Sequence, residues 1–183
     1  MSRSGEPLQR TLSPEPGTQM LLSVGSMQSP LSMLPTSTAS PVVVVSSDSP
    51  TELSERLASA DADLSTVGHI PISGSEFDYS GRMWTCDSLV PDDLTGLSMR
   101  LSQAFEAIGD SGGWLLVENL NVFLLYASEE RVIRFMDHIT ALAAEHDING
   151  VYTVTREAIA ADTYDRVRLS VDEAVGDEEL IGR

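Results

Sequence analysis

The sequence predicts an α/β fold: a mostly parallel sheet with helices on both faces, in a single domain. Three observations carry that expectation. Strand-type apolar runs alternate along the chain with amphipathic helical stretches. Two of the runs, PVVVV (Pro41 to Val45) and WLLV (Trp114 to Val117), are continuously apolar, as strands covered on both faces must be. The chain has 183 residues, 42 % of them hydrophobic, which is enough for a core of ordinary size.

Residues 1–18 carry Pro7, Pro14, Pro16 and Gly17 among polar side chains and read as a flexible lead-in. The domain proper is expected over 19–171. It opens with QMLLSV (Gln19 to Val24), a short buried strand. Gly25 to Ser40 is rich in Ser, Thr and Pro, and Pro30 and Pro35 argue against a long helix there. After the strand Pro41 to Val45, Ser49-Pro50-Thr51-Glu52 is a helix start, with Ser49 as N-cap and Glu52 closing a capping box. That helix should run to about Ala60.

Val67 to Ile72 is a weak strand, and Ile70-Pro71 predicts an edge position or an early end. A loop from Ser73 to Gly81 leads to a short strand around Met83 to Cys86. Asp92 to Ile108 is a helix with Leu94, Leu97, Leu101, Ala104, Phe105 and Ile108 on one face. Gly112-Gly113 ends it before the strand Trp114 to Val117. Ser128 caps a further helix striped by Val132, Phe135, Met136, Ile139, Leu142 and Ala143. Asn149-Gly150 reads as a turn into the strand Val151 to Thr155. Arg166 to Val171 reads as a last strand, and 172–183 as an acidic tail that frays.

Charge narrows the function classes. Against 28 Asp and Glu stand 11 basic residues, all arginine, for a net charge of −17. Strong acidity without lysine suits a halophilic, salt-rich cytoplasm, where screening shortens the Debye length to a few ångström and self-repulsion costs little. The same field repels phosphate backbones, so no nucleic-acid partner is expected. Without lysine this chain offers neither a Schiff-base amine nor a P-loop ammonium. Cys86 is alone, which excludes an internal disulfide and favours a small buried hydrophobe. No apolar run is long enough for a bilayer, and a soluble, cytoplasmic protein is expected. His69, His138 and His146 have no ligand spacing, so no metal site is expected; Trp84 and Trp114 read as packing residues. No G-x-S-x-G elbow positions a serine nucleophile.

A parallel sheet binds ligands at the carboxyl ends of its strands. The eight residues after the first strand, Gly25, Ser26, Met27, Gln28, Ser29, Pro30, Leu31 and Ser32, overlay the pattern G-x-x-x-x-G-K-[ST]. Gly25 matches the first glycine and Ser32 the magnesium-binding hydroxyl. Pro30 replaces the second glycine and has no N–H to aim at phosphate. Leu31 replaces the lysine that would bridge the outer phosphates.

Three stretches together resemble the RecA/KaiC-type ATPase core, in particular the small KaiC-like proteins of halophilic archaea without assigned activity. QMLLSVGSMQSPLSML (Gln19 to Leu34) is similar to the phosphate-loop strand, and VVVVSSDSPTELSERL (Val42 to Leu57) to the strand leading into paired acids and a helix. WLLVENLNVFLLYASEERVIRFMDHI (Trp114 to Ile139) is similar to the Walker B strand and its continuation. The resemblance covers most of the chain after the lead-in and rests on order and spacing, since every motif is altered. It implies that the paired acidic site is reduced to Ser47 and Asp48, and that Glu118 and Asn119 stand where aspartate and serine are usual. Asp48 and Glu118 are the residual catalytic candidates.

Two functions follow from the resemblance. The first is a non-catalytic interaction or regulatory module with a lost phosphate-binding loop and no bound cofactor. Its protein partner would be a catalytically competent RecA/KaiC-like subunit or a signalling protein. The alternative is a nucleotide-binding or weakly hydrolysing protein that uses ATP and magnesium with a non-standard cation, from Arg82, Arg100 or a neighbouring subunit.

Overall fold

The computed structural model describes residues 14–25, 31 and 40–176. Seven strands form one sheet in the order β4-β3-β2-β5-β6-β1-β7, and every pairing is parallel. In chain order these are β1 (Gln19–Ser23), β2 (Val42–Ser46), β3 (Val67–Pro71), β4 (Trp84–Thr85), β5 (Gly113–Val117), β6 (Ile148–Val154) and β7 (Glu173–Val175). The helices are α1 (Pro50–Ser59), α2 (Leu94–Ile108), α3 (Leu120–Tyr126), α4 (Glu129–Glu145) and α5 (Ala161–Arg168).

The two sheet faces are covered separately. On one, Leu53 and Leu57 of α1 pack with Met20, Leu22, Val44, Trp114 and Leu116. On the other, α2, α3, α4 and α5 pack over Leu21, Val43, Val45, Leu115 and Tyr152. Side-chain alternation along each strand assigns Val43 and Val44 to opposite clusters, which is why PVVVV had to be apolar throughout.

The helix starts follow the capping residues. Ser49 Oγ accepts from the Glu52 amide at 3.2 Å, and Glu52 Oε2 accepts from the Ser49 amide at 3.0 Å. Asp93 caps α2 by accepting from the Gly96 amide at 2.8 Å, and Ser128 caps α4.

Five readings change. The last strand is not Arg166 to Val171, because those residues span the end of α5 and the turn after it. Only Val167 of α5 is buried, so the helix has no apolar stripe, and Ala160 supplies no side-chain cap. The strand comes later, as β7 beside β1, so the tail expected to fray over 172–183 contributes Glu173–Val175 to the sheet. Asn149-Gly150 is not a turn: both residues lie inside β6, and the chain reverses at Asp147, whose φ is +55°. Gly150 is needed there because the Gln19 side chain occupies the space a Cβ would take. Finally, α3 adds a helix in the segment Leu120–Tyr126. β3 ends at Pro71 as expected but is not an edge, since β4 pairs with it at Gly68 and His69.

Candidate functional site

β2 and β5 are adjacent, yet the chains leaving them go to opposite faces of the sheet, α1 to one and α3 and α4 to the other. The connections therefore diverge at the carboxyl ends of these strands, which is where the ligand crevice of an open α/β sheet falls. Asp48 follows β2 and Glu118 follows β5, so the two residual acids meet at this point. The Glu118 amide donates to the Val45 carbonyl at 2.9 Å, which carries the ladder up to the crevice.

A residue that motif reasoning did not single out sits between them. Arg56, in the last turn of α1, donates from Nη2 to Glu118 Oε1 at 2.9 Å and from Nη1 to Glu118 Oε2 at 3.3 Å. The same Nη1 also donates to Asp48 Oδ2. Side-chain exposures of 32 % for Arg56, 28 % for Asp48 and 15 % for Glu118 make this a half-buried triad. Partial desolvation opposes the guanidinium charge, but the hydrogen bonds and fields of Glu118 and Asp48 outweigh it and raise the Arg56 pKa. Two carboxylates and one guanidinium leave a net charge of −1, with the facing oxygens already accepting hydrogen bonds.

Beneath the triad, Ser46 ends β2 with its hydroxyl 3.0 Å from Nε2 of His69 on β3. Both side chains are buried, and His69 Nδ1 has no hydrogen-bond partner among the described residues. Burial pulls the His69 pKa down to about 4, and the positive field of Arg56 acts in the same direction. Neutral imidazole is therefore the form at neutral pH. Asn119 adopts φ +62° and donates its amide to Thr153 Oγ1 at 2.8 Å. Asn121 exchanges two hydrogen bonds with the Thr155 backbone, tying the residues after β5 to the end of β6.

Of the phosphate-loop overlay, Gly25 and Leu31 are described, whereas Ser26, Met27, Gln28, Ser29, Pro30 and Ser32 lie outside the described residues. Leu31 is only 5 % exposed and packs in the apolar cluster under α1 with Met20, Leu22 and Leu53. Neither arginine expected as a substitute cation is paired with Asp48 or Glu118 among the described residues. Arg82 precedes β4 at the amino ends of the strands, where its field reaches Asp63, and Arg100 on α2 acts on Cys86. Trp114 is packed as expected, but Trp84 is 52 % exposed, lying over Gly68 at the sheet edge. His138 is exposed on α4, and His146 caps that helix against Phe105. Among the described residues no three His, Cys, Asp or Glu side chains are grouped to hold a metal, and no helix is long and apolar enough to cross a membrane.

No spacing rule could have found Arg56, which is 62 positions from Glu118. Its one local signal is its place in a helix whose start the capping box already fixes.

Solved structures share this architecture at low sequence identity. The KaiC-like protein PH0186 from the hyperthermophilic archaeon Pyrococcus horikoshii OT3 is 13 % identical with a TM-score of 0.60, over 88 % of this chain and 72 % of that one. A second protein of the same organism, PH0250, is 16 % identical with a TM-score of 0.56, over 88 % of this chain and 82 % of that one. The fold is thus KaiC-like, a RecA-like α/β sheet. No functionally curated protein matches the sequence. A family model described as a family of unknown function, DUF7504, matches residues 23–175, and the chain belongs to that family.

Proposed function

We propose that this protein is a non-catalytic KaiC-like interaction module that acts by binding a protein partner in a salt-rich cytoplasm. The partner class is a KaiC-like subunit with its own intact phosphate loop, or a signalling protein. The observation that carries this reading is Arg56 seated between Asp48 and Glu118. A carboxylate that is to hold a metal or orient a water needs free acceptor positions facing the ligand. Here a guanidinium of the protein itself takes both oxygens of Glu118 and Oδ2 of Asp48.

Leu31 supports the same reading. At the place where the overlay expects an ammonium reaching for phosphate, an isobutyl group is turned into the core. With Pro30 also lacking an amide proton, the loop has lost both its cation and one of its donors.

The test is calorimetric titration of ATP, ADP and GTP into the full chain with magnesium in molar KCl, alongside an ATP hydrolysis assay. The expected outcome is no binding heat and no turnover. Hydrolysis that is abolished by Asp48→Ala or Glu118→Ala would overturn the proposal in favour of the weakly hydrolysing alternative. Binding without hydrolysis would replace it with a nucleotide sensor.

A further inference from the structure

The structure points to a second site, on the sheet face covered by α2 and α4. We propose that the groove between α2 and α4 binds a phosphate-type dianion, either inorganic phosphate or a small phosphate monoester.

The groove has a volume of about 240 Å³. One wall carries Arg131, Arg134 and His138, spaced three and then four residues apart on α4 and therefore on one side of that helix. The other wall carries Thr95 and Ser98, three residues apart in the first turns of α2. Phe135, itself buried, forms part of the floor. Residues bearing two guanidiniums, an imidazole and two hydroxyls thus line one space between two helices. A carboxylate offers two oxygens in one plane, whereas a tetrahedral oxyanion presents acceptors in several directions at once. Donor-bearing residues on two walls suit the second kind of ligand.

The charge arrangement is the stronger argument. Carboxylates outnumber basic residues 28 to 11 in this chain, so a carboxylate is the most available partner for any arginine. Arg56 and Arg166 have taken carboxylates. Among the described residues Arg131 and Arg134 are in no ion pair, although Glu130 and Asp137 stand close to them in sequence and Asp92 and Asp93 open the facing helix. Asp93 is occupied in capping the Gly96 amide at 2.8 Å, and Asp137 Oδ1 accepts from Ser170 Oγ at 2.6 Å. Arg131 is instead oriented by a backbone carbonyl, donating from Nη2 to Asp92 O at 2.8 Å. The result is two arginines outside any ion pair with hydroxyls opposite, on a protein whose overall field is negative. Salt shortens the reach of that overall field to a few ångström while donors in direct contact with the anion remain in place.

The experiment is a titration of the full chain with inorganic phosphate, phenyl phosphate and acetate, following amide ¹⁵N–¹H shifts in about 0.1 M KCl. Saturable shifts with both phosphates at Thr95, Ser98, Arg131 and Arg134, and none with acetate, are expected. Arg134→Gln removes an exposed side chain and should weaken phosphate binding about tenfold, the worth of one charge-assisted hydrogen bond. Arg82→Gln, outside the groove, should leave binding unchanged. Saturation by inorganic phosphate alone would identify the free ion as the ligand, and tighter binding of phenyl phosphate a monoester. Absence of saturable shifts, equal binding of acetate, or an unaltered Arg134→Gln variant would overturn the proposal. None of these outcomes depends on the triad at Arg56.

Discussion

Replacing Arg56 by methionine keeps the apolar stem and removes the guanidinium, leaving Asp48 and Glu118 facing one another. The magnitude follows from the three hydrogen bonds lost, two to Glu118 and one to Asp48. Fully buried, charge-assisted bonds of this kind are worth about 2 kcal/mol each. With exposures between 15 % and 32 %, solvent screening brings each to about 1 kcal/mol or less. Uncompensated repulsion between two carboxylates adds to the loss, for a total of about 2–3 kcal/mol at low salt. Urea denaturation in about 0.1 M KCl measures this directly, and in about 2 M KCl the loss should shrink below about 1 kcal/mol. A double-mutant cycle with Glu118→Gln should return a coupling of about 1 kcal/mol or more. A loss under about 0.5 kcal/mol at low salt, or zero coupling, would refute the assignment of Arg56 as the bridge between the acids.

Two further predictions concern the core around the strands. His69 titrates near 4 in the folded chain and near 6.5 when unfolded, so the unfolded state binds more protons between these values. Stability present above about pH 6.5 is therefore lost as pH falls towards 4, by about 3 kcal/mol across the window, and His69→Gln should flatten that part of the stability curve relative to the parent. Gly150→Ala forces a methyl group into the Gln19 side chain, which accepts from Tyr152 Oη at 2.8 Å and donates to Ile148 O at 2.8 Å. Breaking this buried pair should cost about 2–4 kcal/mol in thermal or urea unfolding, and a change within about 0.5 kcal/mol would show that the sheet relaxes around it.

Wherever a local rule was strong, the sequence was sufficient. Four consecutive valines, the Ser49 to Glu52 capping box and the Leu94 to Phe105 stripe each encode their element through backbone propensity and periodicity, which operate within a few residues. The alternation of these elements was enough to indicate a parallel sheet covered on both faces. The segments misread were those where the local signal is weak or misleading. α5 buries only Val167 of its own residues, so its helix has no visible stripe, and Asn149-Gly150 has turn chemistry but is held in β6 by pairing on both sides. The choice of Asp48 and Glu118 as residual candidates came from resemblance to a family, and strand order makes them neighbours. Their bridging by Arg56 is different in kind. Strand order brings β2 beside β5, and opposite exits of their connections open the crevice into which α1 delivers a guanidinium from 62 positions away. Electrostatics between such distant residues leave no periodic trace along the chain, because the energy depends on separation in space, which only the packed sheet supplies.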